Sequence, residues 1–216
     1  MSLWAIAWHY LWDRWFTTAL TILSVALAVG LISALLTVRN ETKKRFEEET
    51  SAYDIVVGPP GSGPLQIVLN AIYYLNNPTG YLLYSDYERL KEEEDVAFAF
   101  PVMLGDTYRK FRIVGTLPEI FDYPWTSDSS LEKRYPFKLK EGAAGGRFFE
   151  TSMEAVLGYR VARETGLGIG DRFTGWHGTM AYAEYDHGDS EYTVVGIMQP
   201  SATSNDRAIF VSMESV

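Results

Sequence analysis

The sequence has 216 residues, enough for one membrane span and one compact domain, with no cysteine and a formal net charge of -9. The absence of cysteine excludes disulfides, cysteine-ligated zinc sites and thiol nucleophiles. The acidic balance argues against nucleic acid as a partner, because proteins that bind it present clustered Lys and Arg side chains to the phosphates.

The chain opens with four tryptophans, Trp4, Trp8, Trp12 and Trp15. Spacings of four, four and three residues place them along one side of a helix. Because indoles favour the boundary between membrane and water, residues 1–16 are predicted to form an amphipathic helix in that interface. The alternative is that these tryptophans pack against neighbouring protein.

A run of 22 residues without a charged side chain follows, at residues 17–38. As a helix it would be about 33 Å long, which matches a hydrocarbon core of roughly 30 Å. A soluble core helix rarely stays apolar on every face over that length, and a signal peptide has a shorter apolar run ending at a small-residue cleavage site. Residues 17–38 are therefore predicted to be a transmembrane helix.

Small residues recur every four positions along this span, at Ala26, Gly30 and Ala34. In lipid, such a stripe lets another helix approach closely. It is predicted to be a transmembrane packing face, which indicates that the helix has helical partners. The alternative is ordinary membrane composition, in which alanine is common.

Basic residues follow the span at Arg39, Lys43, Lys44 and Arg45, whereas Arg14 alone precedes it. Taken literally, the positive-inside rule places the large domain in the cytoplasm. Long domains translocate largely regardless of charge, so this tally leaves the orientation open.

The rest of the chain is predicted to be a stalk and an α+β domain. Residues 39–50 lack helix breakers and should extend the helix beyond the bilayer as a charged stalk. Residues 51–216 mix strands and helices without regular alternation, which indicates the α+β class. Within them, residues 118–146 are rich in Pro, Ser, Gly and charge and are predicted to be an irregular insertion or part of a smaller lobe.

Hydrophobic runs and turn residues predict the individual elements of the domain. In chain order these are a strand at 54–58, a helix starting at Pro64, a helix capped by Ser85 and Glu88, strands at 96–104, 110–117 and 154–157, a helix at 159–164, a hairpin of 172–184 and 191–198, and a strand at 208–212. Two of these strands, 111–115 and 192–196, resemble each other, since each ends in Gly and is followed a few residues later by Pro, at Pro118 and Pro200. Two copies are too few for a solenoid.

A glycine-rich segment imitates a phosphate-binding loop. Gly58 and Gly63 have the spacing of that motif and stand between a predicted strand and a predicted helix. The lysine that would reach the phosphates is replaced by Pro64, and the Mg²⁺-binding Ser or Thr by Leu65. The segment is predicted to be a turn and not a nucleotide site.

Two histidines are weak candidates for a metal site, His177 and His187, with Asp186, Asp189 and Glu191 nearby in the predicted hairpin loop. No spacing matches a signature such as H-E-x-x-H, and a solvated polar loop is the alternative. No catalytic residue and no cofactor site is predicted, and nothing in the sequence requires an enzyme.

Several segments, taken in their order, resemble the MacB/FtsX/LolC-type permeases of ABC transporters, in particular their first span and extracytoplasmic core domain. The segments that carry the resemblance are the aromatic and basic pre-helix, Ala-Val-Gly-Leu within the span, Tyr-Asp-Ile-Val-Val-Gly at 53–58, Gly-Ser-Gly-Pro-Leu-Gln at 61–66, and residues 77–80, 113–119, 158–171 and 194–208. Each motif alone is a weak indication of the family. The resemblance rests on their order, and it covers essentially the whole chain.

The resemblance implies a permease of the bacterial plasma (inner) membrane with a cytoplasmic N-terminus and a two-lobed periplasmic or extracellular domain. This orientation takes precedence over the one suggested by the basic residues on either side of the span. It implies a second permease subunit, a separate P-loop ATPase subunit and contact with the lipid bilayer, and it leaves room for a periplasmic adaptor. Family members carry three more spans after this domain, so the sequence is expected to be a fragment of a longer permease. The substrate, whether lipoprotein, lipid, peptide or drug, stays open.

Two other functions stay open at the level of sequence, and so does a purely structural role as the scaffold of a complex. A single-span anchored module for binding or sensing would need no ATPase partner. A membrane-anchored metalloenzyme using His177 and His187 would hold stoichiometric metal.

Overall fold

The computed structural model describes residues 2–50, 53–75, 77–123, 137–176 and 191–216. The chain divides into two compact units, Met1–Glu48 and Glu49–Val216. The first unit is helical and the second contains all the described strands, so the predicted α+β class is confirmed.

The N-terminal unit consists of helix α1 (Leu3–Asp13) and nearly all of helix α2 (Trp15–Thr50), and Arg14 alone separates the two helices. Helix α2 has 36 residues and no proline, and it is about 54 Å long at 1.5 Å per residue. Its portion Trp15–Lys44 is the one helix in the described part of the chain that is long and apolar enough to cross a membrane. The predicted span and stalk therefore belong to one continuous helix.

Three hydroxyl groups within α2 are bonded to carbonyl oxygens four residues earlier in the same helix. Thr21, Ser24 and Thr37 each donate a hydrogen bond of 2.9 Å to the carbonyl oxygen four residues earlier. In the hydrocarbon core no water is present to accept hydrogen bonds from these hydroxyl groups. Bonding within the helix therefore suits a helix that crosses a bilayer.

The second unit is built on one six-stranded sheet, with the strand order β1-β2-β6-β3-β5-β4. The strands are β1 (Met103–Tyr108), β2 (Phe111–Thr116), β3 (Glu154–Leu157), β4 (Arg172–Thr174), β5 (Glu191–Ile197) and β6 (Ala208–Ser212). The helices are α3 (Pro64–Ala71), α4 (Tyr84–Lys91) and α5 (Tyr159–Thr165). Short 3-10 turns occupy Pro118–Phe121, Gly142–Ala144, Ser204–Arg207 and Met213–Ser215.

The sheet contains two similar halves that exchange a strand. β1 and β2 form an antiparallel hairpin, as do β4 and β5. β3, which follows the first hairpin in sequence, pairs in parallel with β5, while β6 follows the second hairpin and pairs in parallel with β2. β3 and β6 meet antiparallel in the middle, with Val156 opposite Phe210. The sequence echo falls on the equivalent strands β2 and β5.

The two edges of the sheet meet, so the sheet closes on itself. The backbone N–H of Thr107 donates to the Trp176 carbonyl at 3.1 Å, and the Trp176 N–H donates to the Thr107 carbonyl at 2.8 Å. The rings of Tyr108 and Phe173, on β1 and β4, lie 4.8 Å apart on the same face. This face is therefore the inner one.

Each face of the sheet carries its own hydrophobic core, because successive strand residues point to opposite faces. The inner core consists of Phe111, Ile113, Ala155, Leu157, Val161, Ala162, Phe173, Tyr192, Val194, Ile197, Ile209 and Val211. The outer core consists of Tyr74, Val114, Ile120, Phe121, Phe137, Phe149, Val156, Met198, Ala208 and Phe210. Helix α5 contributes to the inner core. Tyr74, which follows α3, covers the outer core together with residues 118–123 and 137–149.

Most predicted elements are present near their predicted positions. The strands at 154–157 and 208–212, the helix beginning at Pro64 and the helix beginning at Tyr159 are confirmed. The last of these ends at Gly166, whose φ of +80° suits glycine. Residues 124–136 and 177–190 lie outside the described residues, and with them much of the predicted insertion at 118–146 and of the hairpin loop.

Three local predictions are wrong. Residues 54–58 form no strand, because this β-branched run has no neighbouring strand to pair with and leaves Ile55 79% exposed. Residues 96–102 are also irregular, since β1 begins only at Met103, opposite Gly115 of β2. The cap of α4 lies earlier than predicted, where Asp86 accepts the backbone N–H of Leu83 at 3.3 Å.

Candidate functional site

The candidate metal ligands cannot be placed, since His177 and His187 lie outside the described residues. Within the described part of the chain, no group of three or more His, Asp or Glu side chains could hold a metal ion.

The glycine-rich segment forms a turn ahead of α3, as predicted. The N–H of Ser62 donates to the Pro59 carbonyl at 3.1 Å, and Gly61 has a φ of +87°. Pro64 is the first residue of α3, where a phosphate-binding loop would need a donor and proline has none. The Ser62 hydroxyl instead lies 2.8 Å from the Thr79 hydroxyl and joins the turn to residues 77–80.

The predicted transmembrane packing face is open in the structure. Ala26, Gly30 and Ala34 are exposed and lie on one side of α2. A Cβ atom added at Gly30 would meet no described atom within 4 Å. The described part of the chain therefore gives no steric reason for glycine at this position, and the space beside it is available to another helix.

The segment that follows α2 is attached to the sheet through a buried tyrosine. Tyr74 is 6% exposed, and its hydroxyl donates to Asn205 Oδ1 at 3.1 Å. Tyr53 hydrogen-bonds to Tyr74, and burial raises the pKa of Tyr53 to about 12 although this hydrogen bond acts in the opposite direction. Ser204 adds a bond of 2.6 Å from its hydroxyl to the Ile72 carbonyl. We call these contacts the first attachment.

The backbone of Tyr74 is strained, with a φ of +55°. Residues other than glycine rarely adopt this backbone conformation, and it persists where the surrounding structure fixes it. Here the hydroxyl is held by Asn205, and the ring packs edge-on against Phe210 with centroids 5.8 Å apart. The strain indicates that the contact, and not local preference, sets the path of the chain.

The loop that receives Tyr74 is itself fixed by a buried carboxylate. Asp206 is 6% exposed and accepts hydrogen bonds from Ser201 N, Ser201 Oγ and Ala202 N, at 2.8 to 2.9 Å. A Cβ atom at Gly158 would collide with the carbonyl oxygens of Asn205 and Asp206. Glycine at 158 therefore lets the start of α5 pack directly against this loop.

The C-terminal residues are also held to the sheet, by what we call the second attachment. The Tyr192 hydroxyl donates to the Ser215 carbonyl, and the Ser215 hydroxyl accepts the N–H of Met153 at 2.7 Å. Cβ atoms at Gly105 and Gly115 would lie 2.6 and 2.8 Å from the methyl groups of Val216. Val216 thus occupies space that two glycines leave over the β1–β2 hairpin.

An ion pair fixes the turn before β3. Arg147 binds both carboxylate oxygens of Glu154, and the N–H groups of Glu150 and Thr151 donate to the same carboxylate. The hydrogen bonds from Arg147 lower the pKa of Glu154 to about 2, against the effect of burial, and the two backbone donors act in the same direction as Arg147. The Glu154 side chain is only 16% exposed.

Sequence reasoning missed both attachments. The bonded partners Tyr74 and Asn205 are 131 positions apart, so no local pattern joins them. The available signal was weak: Asn205 and Asp206 are polar residues directly before a buried strand, a place where polar groups need internal partners.

Residues 18–216 match the MacB-like periplasmic core domain family. The chain belongs to this family. The match takes in nearly all of the predicted span together with the folded unit, and it confirms the resemblance drawn from the sequence motifs. The chain is therefore a MacB-like ABC transporter permease domain, an inner-membrane protein with an extracytoplasmic domain.

Among solved structures, the chain is similar to the periplasmic region of MacB from Actinobacillus actinomycetemcomitans, with 13% sequence identity and a TM-score of 0.42. The alignment covers 72% of this chain and 63% of that one, so this MacB-like chain corresponds to less than two thirds of that structure. Comparison with curated proteins gave no match.

Proposed function

We propose that this chain is the permease subunit of a MacB-type ABC transporter, coupling ATP hydrolysis in a separate ATPase subunit to export or extraction of a substrate through its extracytoplasmic domain. The observation that carries the proposal is the family match over residues 18–216, which includes both the apolar helix and the folded unit. The N-terminus then lies in the cytoplasm, where the ATPase works.

The glycine-rich segment is not itself a candidate for ATP hydrolysis, which the proposal assigns to a separate subunit. A P-loop needs a lysine on the phosphates and a hydroxyl on Mg²⁺, and Pro64 and Leu65 supply neither. The partners of this chain are then a P-loop ATPase subunit, a second permease subunit and the lipid bilayer, with a periplasmic adaptor as a further candidate outside the membrane.

The two attachments suggest how motion reaches the folded domain. Helix α2 is continuous and free of proline over 36 residues, so a tilt or shift of its membrane part is carried along its length. The segment after it is bonded through Tyr74 to the loop preceding β6. The second attachment bonds Ser215 to β5 and to the turn before β3. A displacement at either attachment therefore acts on the same sheet. In the proposal the domain then shifts between two packed arrangements.

The packing face on α2 supports association with another span. Closely packed helices in lipid use small residues where their backbones approach, and the space beside Gly30 is open. We assign Ala26, Gly30 and Ala34 to a contact within the permease assembly.

The test is to read the coding DNA past Val216 and across the neighbouring genes, and to isolate the permease together with any P-loop ATPase that is encoded there. The expected result is three further spans downstream, copurification of the ATPase, and an ATPase rate that depends on the permease. Ala26→Leu should weaken the assembly, whereas Ala28→Leu makes the same change on the opposite side of α2 and should not.

A different outcome would favour the other function. The outcome would be that no further span and no ATPase are encoded, and that the purified chain neither hydrolyses ATP nor binds an ATPase. The leading function would then be a membrane-anchored binding or sensing module. Equal effects of the two leucine substitutions would contradict the assignment of the packing face. They would leave the proposed transporter function unaffected.

A further inference from the structure

Strand β1 carries a bulge that lies against the C-terminal residues. The register of its pairing with β2 shifts between Leu104 and Thr107. Gly105 and Asp106 therefore form a β-bulge, in which two residues of one strand stand opposite a single residue of its partner. A Cβ atom at Gly105 would lie 2.6 Å from a methyl group of Val216, so the C-terminal residue packs directly on the bulge.

The guanidinium of Arg112 joins this bulge to the segment that follows α3. Its Nη1 donates to the Gly105 carbonyl at 3.1 Å, and its Nη2 donates to Asn77 Oδ1 at 2.9 Å. Asn77 follows Tyr74 by three positions, so it belongs to the segment that the first attachment holds. Partial burial lowers the pKa of Arg112, and the nearby charge of Asp106 opposes that effect. The planar fork of an arginine suits a site where two acceptors must be bonded at once.

The second residue of the bulge borders the second attachment. A Cβ atom at Gly175 would lie 3.3 Å from the Asp106 Cβ and 3.6 Å from the Tyr192 ring, so these two side chains face the same small space. Burial raises the pKa of Tyr192, and the charge of Asp106 acts in the same direction. The Tyr192 hydroxyl donates to the Ser215 carbonyl, which ties the C-terminal residues to β5. Both residues of the bulge are therefore neighbours of the second attachment.

We propose that Arg112 is a positioning residue that couples the two attachments through the bulge, so that opening of either one loosens the other. A displacement of Asn77 acts on the guanidinium, the guanidinium is bonded to the Gly105 carbonyl, and Val216 packs on the same glycine. Such a coupling is a free energy shared between two places, and it is reciprocal. It goes beyond the proposed function, in which each attachment acts on the sheet separately, and it does not depend on transport.

Native-state hydrogen exchange of the full chain in lipid nanodiscs tests the coupling, because one backbone amide at each attachment reports local opening. The Met153 N–H donates to the Ser215 hydroxyl at 2.7 Å and reports the second attachment. The Leu75 N–H donates to the Leu69 carbonyl at 2.9 Å, directly after Tyr74, and reports the first.

Two substitutions perturb the coupled parts from opposite sides. Asn77→Ala removes the amide oxygen that Arg112 binds, and Val216→Ala removes the methyl groups that pack on the bulge. Asn77→Ala should speed exchange at Met153 by about fivefold or more, which is the lower end of the coupling found between linked sites. Because coupling is reciprocal, Val216→Ala should speed exchange at Leu75 by a similar factor.

Ser204→Ala is the matched control, because it removes a bond of 2.6 Å between the first attachment and the Ile72 carbonyl that does not involve Arg112. It should leave exchange at Met153 unchanged. In an Arg112→Lys background the charge is kept, but a single ammonium group cannot reproduce the fork. Asn77→Ala should then have no further effect on Met153, since the two changes act on one contact.

Unchanged exchange at Met153 in Asn77→Ala, or at Leu75 in Val216→Ala, would overturn the coupling. Equal acceleration by Ser204→Ala would also overturn it, since the whole domain would then have loosened. An effect of Asn77→Ala that persists in the Arg112→Lys background would remove the role of Arg112. If Arg112→Lys does not fold, the comparison of Asn77→Ala and Val216→Ala with Ser204→Ala still decides whether the attachments are coupled. None of these outcomes changes the family match or the transporter proposal, which rest on other observations.

Discussion

The ion pair between Arg147 and Glu154 allows a prediction with a defined pH dependence. Replacing Glu154 by Gln keeps an oxygen for the N–H groups of Glu150 and Thr151 but removes the negative charge. The folded state holds the pKa of Glu154 at about 2 instead of 4.5. At 1.36 kcal/mol per pKa unit this difference corresponds to at most about 3.5 kcal/mol.

Solvent reduces that figure, because the Arg147 side chain is 47% exposed and water screens the pair. We expect Glu154→Gln to lower the free energy of unfolding by about 1–2 kcal/mol near neutral pH. For a domain of this size that is a fall in Tm of about 2–8 °C. Because the folded pKa is depressed, the stabilisation is complete above the ordinary pKa of 4.5 and is lost as the pH falls toward 2.

The assay is thermal unfolding of the full chain in detergent micelles, followed by the near-UV circular dichroism of the aromatic core. The difference in Tm between wild type and Glu154→Gln should shrink between about pH 6 and about pH 3. Glu150→Gln is the control, since this side chain is 74% exposed and 4.0 Å from Arg147. A difference that does not change with pH, or an equal loss in the control, would refute the electrostatic explanation.

Three further substitutions test the packing of the domain, each measured as a shift in the urea midpoint of unfolding. Tyr74→Phe leaves a buried acceptor in the loop before β6 without its donor and should cost about 1–2 kcal/mol, whereas Tyr81→Phe, on a side chain that is 83% exposed, should cost nothing measurable. Gly158→Ala should cost more than about 2 kcal/mol because its methyl group meets backbone oxygens, and Gly168→Ala, whose nearest contact would be 3.8 Å away, should be close to neutral. Phe210→Ala should cost about 3–5 kcal/mol through the cavity it leaves; a loss below about 1 kcal/mol would contradict its place in the outer core.

The sequence predicts those strands best that are buried on both faces. Residues 154–157 and 208–212 are short apolar runs bounded by polar residues, and both become central strands of the sheet. The run at 54–58 has the same β-branched character but no strand beside it, so propensity alone is misleading there. Strand identity depends on a pairing partner, which a single segment cannot reveal.

The contacts of the candidate site were harder to predict than the fold. The proposed packing face on α2 is a prediction from spacing within one helix, which a sequence displays directly. The first attachment joins Tyr74 to Asn205 across 131 positions, and the second depends on two glycines whose missing side chains make room for Val216. Contacts of this kind depend on the closed sheet and cannot be read from local sequence.

The exchange of strands between the two halves of the sheet has a consequence for biosynthesis. Among the described strands, β3 pairs with β5 and β6, and these two are made after all the others. The first hairpin and β3 therefore cannot complete a sheet by themselves, and pairings this distant in sequence form slowly. During synthesis the anchored chain carries unpaired strand edges, which are prone to wrong association, until β6 emerges. Because α2 is made before the domain, the incompletely paired chain stays at the membrane surface during this interval.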